Sequence, residues 1–175
     1  MAEALSPILP PELEEAVHIF LKAACDRELR LATAESCTGG LIASLLTDVP
    51  GCSHAFERAF VTYSNEAKEQ LLGIAPGLLA THGPVSEETA RAMASGALDR
   101  SLADIVLAVT GWTENGPDPS QPAGLVWFAV GRRNGEILAR QERFGDVGRA
   151  AIRIACLEVA LEMMSAALAG DGAAS

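Results

Sequence analysis

A serine followed closely by two glycines is the first segment whose residue types could carry out chemistry. Residues 35–40 read ESCTGG and follow the short uncharged run 31–34, a pattern typical of a strand that ends in a turn and leads into a helix. Free backbone N–H groups at a helix start can stabilise an anion, and glycines let a ligand approach the backbone. Ser36 could therefore act as a nucleophile. The alternative is structural, with Ser36 or Thr38 serving only as a helix N-cap.

A serine nucleophile needs a base, and Lys68 is the first candidate. It lies one turn into a predicted helix that follows the strand AFVTY, residues 59–63. If this strand neighbours the one before Ser36, the lysine could reach the serine, and burial would lower the lysine pKa enough for it to act as a base. Tyr63, at the strand end, could orient the amine or pass protons. The alternative is an ordinary exposed helix lysine close to acidic residues.

Cysteine and histidine are weaker candidates. Cys37 could replace Ser36 as the nucleophile because a helix start lowers a thiol pKa, but a residue after such a turn usually points into the core. The four cysteines contain no CxxC pair, and the three histidines share no motif with a carboxylate. We therefore expect reduced thiols, a cytoplasmic location and no metal site.

Ligand contacts are expected where a second strand ends. Thr110 and Gly111 close the apolar run IVLAVTG, and ligands of open α/β sheets collect just beyond such strand ends. The polar, Pro-rich loop 112–122 could form a wall of this pocket or be a surface connection. Arg149 and Arg153 lie one turn apart near the start of the last predicted helix, where they could bind a phosphate or remain solvated.

The elements that would position these residues alternate in type along the chain. Helices are predicted over 11–28, from about 38 to 47, over 64–73, from 86 to about 100, and from about 148 to 169. Strands are predicted over 31–34, 59–63, 105–110, 125–130 and 136–144, the last two joined by an Asn-Gly turn. This order predicts an α/β fold, a three-layer α/β/α sandwich around a mixed sheet of about five strands. We expect one domain over 11–169, with a flexible leader over 1–10 and a flexible tail over 170–175.

Composition excludes several classes of partner. The chain has 175 residues, of which 49% are hydrophobic, and a formal net charge of -10. So acidic a surface repels a phosphate backbone, and we expect no nucleic-acid partner. No apolar run approaches the roughly 20 residues that span a bilayer, and the first residues are acidic where a signal peptide needs basic ones. We therefore expect neither membrane insertion nor export.

Several blocks, in order along the chain, resemble a known family. They read TAESCTGGLIASLLTDVPGCS (33–53), FERAFVTYSNEAKEQLLGI (56–74), HGPVSEETARAMASGAL (82–98), and VTG (109–111) followed by PAGLVWFAV (122–130). The sequence is similar to the C-terminal domain of the competence/damage-inducible protein CinA, a domain that in stand-alone form is a nicotinamide-nucleotide amidase. The resemblance implies hydrolysis of nicotinamide mononucleotide to nicotinic acid mononucleotide and ammonia, in pyridine nucleotide salvage, with no metal or cofactor.

The resemblance also implies roles for the candidate residues. Ser36 becomes the nucleophile, Lys68 the base and Tyr63 an assisting residue. A small nucleotide substrate is expected to contact residues around the two strand ends: Glu35, Cys37, Thr38, Gly39, Gly40, Thr110, Gly111 and Arg149. Backbone N–H groups of 37–40 could hold the oxyanion or the nucleotide. A homo-oligomer, in the simplest case a dimer, is expected from the resemblance and from the Ala-rich helices.

Two departures from the family pattern keep alternatives open. The family has TGIAGP and a glycine-rich stretch where this chain reads TGWTENGPDPSQPAG, so Trp112, Thr113 and Glu114 stand where small residues are expected. The family has GDR directly before the last helix where this chain reads GDVGRAAIR, so Arg149 reaches the arginine position only with a two-residue insertion. The alternatives are a non-catalytic nucleotide-binding or scaffold module, and an amidase for a different small amide.

Overall fold

Helices and strands alternate along residues 10–170, the part of the chain that this computed structural model describes. The helices are α1 (Pro11–Asp26), α2 (Leu41–Thr47), α3 (Asn65–Leu72), α4 (Pro76–His82), α5 (Glu87–Asp99) and α6 (Arg149–Ala169). The strands are β1 (Leu31–Glu35), β2 (Phe56–Val61), β3 (Ile105–Gly111), β4 (Leu125–Arg132) and β5 (Ile137–Arg143). The predicted leader, apart from Pro10, and the predicted tail, apart from Gly170, lie outside the described residues.

The five strands form one mixed sheet in the order β2-β1-β3-β4-β5. β1 lies between β2 and β3 and is parallel to both, so these three strands end at the same edge of the sheet. β4 and β5 run antiparallel to their neighbours. The chain therefore leaves β1, β2 and β3 at one edge, which is the edge where ligands of open α/β sheets bind.

Helices cover both faces of the sheet, and the two faces differ in side-chain size. Large side chains such as Leu31, Leu107 and Phe128 pack against α1, α2 and α6. Small ones such as Ala32 and Ala108 face α3, α4 and α5. Because successive strand residues point to opposite faces, this alternation follows directly from the sequence. The small side chains let α5 lie close to the sheet.

The structure confirms the predicted three-layer α/β/α class and the predicted hairpin, and it corrects three local expectations. α2 begins at Leu41, three residues later than predicted, because Gly39 and Gly40 adopt left-handed backbone angles (φ 61° and 92°) that end the turn before a helix can start. β2 begins at Phe56 and ends at Val61, since its pairing starts opposite Leu31. The short helix α4 was not predicted.

Within residues 10–170, none of the helices is both long and apolar enough to cross a bilayer.

Candidate active site

A cavity of about 460 Å³ opens at the edge where the three parallel strands end. Four segments line it: the turn after β1, the start of α3, the loop before α5, and the end of β3 with the loop that follows. The lining residues are Ser36, Cys37, Tyr63, Ser64, Asn65, Lys68, Pro84, Val85, Thr110, Gly111 and 112–117. The strand ends singled out from the sequence therefore meet in one cavity.

Ser36 and Lys68 form a hydrogen-bonded pair in this cavity. Lys68 Nζ donates to Ser36 Oγ at 3.0 Å and to the carbonyl oxygen of Thr62 at 2.9 Å. Only 1% of the lysine is exposed, so it is not the ordinary surface lysine that the sequence left open. Burial lowers the pKa of the Lys68 amine, because a charged ammonium loses its hydration there. The pair thus joins a hydroxyl to an amine that gives up its proton more easily than an exposed lysine does.

The pair forms because β1 and β2 are parallel neighbours. Ser36 follows β1 directly, and Ser64 caps α3 just after β2 by accepting a hydrogen bond from the amide of Ala67 at 3.1 Å. The cap starts the helix where the sequence predicted, and Lys68 falls one turn later, facing back over the sheet edge. Two residues 32 positions apart are brought together by strand order and one helix cap.

Glu35 is a buried support of the serine turn and does not line the cavity, so its expected contact with the substrate stays a prediction. It is fully buried. Its carboxylate oxygens accept hydrogen bonds from the hydroxyls of Thr33 and Thr38 and from the amides of Gly40, Ile42 and Ala43, at 2.7–3.1 Å. The carboxylate therefore caps α2 in place of an N-cap side chain, and its negative charge is stabilised at the helix start.

The same contacts change the expectation for Thr38, Gly39 and Gly40. Thr38 is fully buried, with its hydroxyl on Glu35. The amide of Gly39 donates to the carbonyl of Ser36 at 3.1 Å, and the amide of Gly40 donates to Glu35 at 3.0 Å. None of these three residues lines the cavity. The glycines shape the turn and do not leave their N–H groups open to a ligand.

Two amides of this turn remain unpaired. In the described part of the chain, the N–H groups of Cys37 and Thr38 make no hydrogen bond. Unpaired backbone donors are rare in buried surroundings, and Cys37 and Thr38 are both buried. Of the two, only Cys37 lines the cavity, so its N–H group is the donor of the turn that a ligand could use.

Cys37 has its thiol directed into the core, as the sequence predicted. It belongs to the hydrophobic cluster packed against α1, α2 and α6, as does Cys156. The interaction with the Cys37 thiol, together with burial, raises the pKa of the Cys156 thiol. All four cysteines are free thiols.

Tyr63 and Arg149 meet at the mouth of the cavity. Tyr63 is 65% exposed, and its hydroxyl accepts a hydrogen bond from Arg149 Nη1 at 3.4 Å. Arg149 Nη2 forms an ion pair with Glu114 Oε1 at 2.8 Å. These contacts raise the pKa of the Arg149 guanidinium. Lys68 donates to Ser36 and Thr62 and not to Tyr63, so the tyrosine stands over the cavity without touching the amine.

Thr110 and Gly111 lie on the cavity wall, as predicted from the strand end. The Thr110 hydroxyl donates to the carbonyl of Pro84 at 2.6 Å and so ties the loop before α5 to β3. Pro84, Val85 and Asn65 were missed by the sequence reasoning. The signal for them was weak, since each lies only within two residues of a helix-capping serine.

The loop 112–124 supplies much of the remaining wall. Its two ends are held together as a neck, in which the amide of Trp112 donates to the carbonyl of Leu125 at 2.9 Å and the amide of Gly124 donates to the carbonyl of Trp112 at 2.8 Å. The indole N–H of Trp112 and the side-chain oxygen of Gln121 are buried without a hydrogen-bond partner. The sequence predicted that this loop alters the pocket, and the loop indeed places a bulky indole and unpaired polar atoms in or near the cavity wall.

Residues 13–168 match the CinA C-terminal domain. The chain belongs to this family. It is 45% identical over 157 residues to the nicotinamide-nucleotide amidohydrolase PncC of Escherichia coli K12, a match that covers 87% of this chain and 91% of that protein. A solved structure of the competence/damage inducible protein CihA from Agrobacterium tumefaciens is 44% identical, with a TM-score of 0.88, covering 92% of this chain and 98% of that one.

Other members of the CinA C-terminal domain family are much longer. A putative competence-damage inducible protein of Symbiobacterium thermophilum is 56% identical over 111 residues, which make up 62% of this chain and 26% of that protein. Across three such relatives, the match spans 26% to 30% of their length. The family and the fold expected from the sequence blocks are confirmed.

Proposed function

We propose that this protein is an amidohydrolase that converts nicotinamide mononucleotide to nicotinic acid mononucleotide and ammonia, with Ser36 as nucleophile and Lys68 as base. The observation that carries the proposal is the buried 3.0 Å contact between Lys68 Nζ and Ser36 Oγ in a cavity at the strand ends. The choice of substrate is inferred from the nicotinamide-nucleotide amidohydrolase of E. coli, with which the chain shares 45% identity over nearly all of both sequences.

In the first half of the reaction, one proton moves from Ser36 to Lys68 and then from Lys68 to the leaving nitrogen. Neutral Lys68 takes the Ser36 hydroxyl proton as Oγ bonds to the carboxamide carbon, and the carbonyl electron pair moves onto oxygen. When this pair returns, the C–N bond breaks and the Lys68 ammonium gives its proton to the leaving nitrogen, which departs as ammonia. Water then attacks the acyl-enzyme with Lys68 again as base, releasing the carboxylate and restoring Ser36. The carbonyl of Thr62 holds the amine in place throughout.

The negative oxygen of the intermediate needs donors close to Ser36. The unpaired amides of Cys37 and Thr38 are the candidates, and Cys37 lines the cavity. In hydrolases with a nucleophile at a strand-to-helix turn, the amide after the nucleophile commonly serves this purpose. We assign the oxyanion to the Cys37 amide, in preference to those of Gly39 and Gly40, which already donate within the turn.

The far end of the substrate would lie at the cavity mouth. Thr110 and Gly111 form the wall toward β3, while Tyr63 offers an aromatic face and Arg149 a cation for the phosphate. In this arrangement Tyr63 acts on the substrate or on Arg149, and its contact with the amine would require a movement of its side chain.

A direct assay tests the proposal. Purified protein is incubated with nicotinamide mononucleotide, and ammonia and nicotinic acid mononucleotide are both measured. We expect turnover by the wild type and a loss of at least about 10⁴-fold in Ser36→Ala. Ser53→Ala, a change at an exposed serine outside the cavity, should behave as wild type. No ammonia from the wild type, or undiminished release from Ser36→Ala, would refute the assignment.

A second candidate function is an amidase for a small amide without a phosphate. The ion pair between Glu114 and Arg149 supports it, because a carboxylate already neutralises the cation that a phosphate would use. Assaying nicotinamide mononucleotide, its riboside and free nicotinamide in parallel distinguishes the two. A higher kcat/KM for the riboside would favour the second candidate. Binding of the nucleotide without turnover would instead favour a non-catalytic module.

The cytoplasmic location and the homodimer stay predictions. Sedimentation velocity on the purified chain tests the dimer, since a single species of about 18 kDa would contradict it.

A further inference from the structure

Arg153 lies beneath the serine turn, one helical turn after Arg149, and is aimed at the backbone. Its Nη2 donates to the carbonyl oxygen of Thr38 at 2.7 Å, a short charge-assisted hydrogen bond. Its Nε is buried and has no partner. From sequence, this arginine was a candidate phosphate ligand. In the structure its guanidinium is partly buried under the turn and does not line the cavity.

The contact controls more than one peptide group. Peptide bonds are planar, and in the trans form the C=O and the following N–H point in opposite directions; none of the described peptide bonds is cis. The carbonyl of Thr38 accepts Arg153 at 2.7 Å and the amide of Leu41 at 3.3 Å, and holding it fixes the direction of the Gly39 amide. That amide donates to the carbonyl of Ser36 at 3.1 Å, and the Ser36 carbonyl shares its peptide plane with the N–H of Cys37. Arg153 is linked in this way to the amide next to the nucleophile.

Glu35 holds the same turn from the other side. Its carboxylate accepts the amide of Gly40 and the two helix amides beyond it, while Arg153 takes the carbonyl of Thr38. An anion thus binds N–H groups of the turn and a cation binds one of its C=O groups. The two amides left unpaired between these contacts are those of Cys37 and Thr38.

We infer that Arg153 and Glu35 are positioning residues, which clamp the turn 36–40 so that the Cys37 amide is held ready for the oxyanion that forms when Ser36 attacks. Neither side chain touches the substrate. The inference rests on the proposed function for its substrate. It predicts that losing the clamp slows the chemical step and leaves substrate binding nearly unchanged, since a misplacement near 1 Å can reduce rate about 100-fold.

Arg153→Met keeps the length and apolar stem of the side chain and removes the donor. We expect kcat for nicotinamide mononucleotide to fall about 10- to 100-fold with KM within about twofold of wild type. Arg153→Lys should recover part of the loss, because its ammonium can still reach a carbonyl. Arg140→Met, which removes a surface arginine bound to Glu142 and Glu162, is the matched control and should keep wild-type kcat.

Binding separates this role from phosphate binding. In a Ser36→Ala background, the Kd of nicotinamide mononucleotide should be the same with and without Arg153→Met, within about twofold. A Kd that rises in step with the loss of kcat/KM would identify Arg153 as a substrate ligand and overturn the inference. So would unchanged kcat in Arg153→Met. A thermal unfolding scan of each variant excludes a loss of folded protein as the cause of lower kcat.

A fluorophosphonate probe tests the turn without the proposed substrate. Ser36 Oγ forms a bond to phosphorus, the P–F bond breaks, fluoride leaves and Lys68 takes the hydroxyl proton. Labelling of Ser36 should be slower in Arg153→Met than in wild type and in Arg140→Met. If wild type is labelled in this way but hydrolyses no nicotinamide mononucleotide, only the proposed substrate fails. A wild type that is neither labelled at Ser36 nor active refutes both proposals.

Discussion

The polar groups at the two ends of the sheet differ in burial and in how they are paired. At the end away from the cavity, the Arg133 guanidinium donates to the carbonyls of Leu98, Ser101 and Ala103 at 2.9 Å each, and the Asp104 carboxylate accepts the amide of Arg30 at 2.8 Å. At the cavity end, Glu35 and Lys68 are buried and hydrogen-bonded, but other buried side-chain atoms lack partners. Within residues 10–170 the unpaired buried side-chain atoms are Thr62 Oγ1, Trp112 Nε1, Gln121 Oε1 and Arg153 Nε, and all four belong to this end.

This difference means that the cavity end of the sheet lowers the stability of the folded protein more than the far end does. A buried polar atom without a partner costs about 1–3 kcal/mol, and buried Lys68 adds the cost of desolvating its amine. The far end carries no comparable cost, because Arg133 is exposed, Asp104 is half-buried and both bind backbone groups. Changes at the far end should therefore affect folding, and changes at the cavity end should affect activity with little loss, or even a gain, of stability.

Lys68→Met should have the largest effect, lowering activity while raising stability. Without the base, kcat should fall by about 10³-fold or more. The variant should also unfold a few degrees higher than wild type, about 2–4 °C for each 1 kcal/mol gained, because an apolar side chain of similar length replaces a buried amine. Ammonia release and a thermal scan measure the two effects. Lower stability together with lost activity would contradict this prediction and would mean that Lys68 stabilises the fold.

The pH dependence of stability and of kcat/KM gives a second test of Lys68. Burial lowers the Lys68 pKa from 10.5, so between the folded pKa and 10.5 only the unfolded chain holds the proton, and stability rises with pH in this window. The stability gap between Lys68→Met and wild type should therefore narrow from pH 7 to pH 10, as followed by urea unfolding. In wild type, kcat/KM should rise with pH, at most tenfold per unit, and level off before 10.5 as the amine becomes neutral.

Arg133→Ala probes the far end. Three carbonyls at the end of α5 and in the segment that follows lose their donor, and we expect the free energy of unfolding to drop by about 2 kcal/mol. The kcat of the folded fraction should stay within about twofold of wild type, since the change lies at the opposite end of the sheet from Ser36. Arg143→Ala, at an exposed arginine of β5, is the control. Equal destabilisation by both variants would mean that the carbonyl contacts of Arg133 contribute nothing specific.

Glu114→Gln should have the smallest effect, at the mouth of the cavity. The ion pair with Arg149 is exposed and screened by solvent, so breaking it should change stability little. Releasing Arg149 and removing one negative charge should lower KM for nicotinamide mononucleotide about two- to fivefold without changing kcat. For the riboside, which has no phosphate, KM should not change. Glu136→Gln, at an exposed glutamate beside the β4–β5 hairpin turn, is the control for the change in net charge. A higher KM would show that Glu114 itself binds the substrate.

Most of the fold was predictable because its signals are local. The apolar run that forms β3, the Asn-Gly turn and the capping serines Ser64 and Ser86 each act within a few residues. Helix α4 was missed because its seven residues bury only Leu79 and so show no periodic apolar face.

The site was predictable only in part, because its contacts depend on strand order. The distance from Lys68 to Ser36 follows from β1 and β2 being neighbours, which sequence patterning left as a condition. The role of Glu35 was missed for a different reason. A carboxylate that caps the helix beyond its own turn resembles a ligand-binding acid in the sequence, and only the observed contacts with the amides of Gly40, Ile42 and Ala43 distinguish the two.

The neck of the loop 112–124 has a consequence for engineering. Both of its strands are already paired where the loop leaves the sheet, with Trp112 bound to Leu125 and Gly124 to Trp112. The residues between these points can be shortened, lengthened or exchanged without moving the strands, since the entropy of closing a loop changes slowly with its length. A library of grafted segments between Thr113 and Ala123 could therefore redirect substrate choice while the serine, the lysine and the clamp beneath them stay in place.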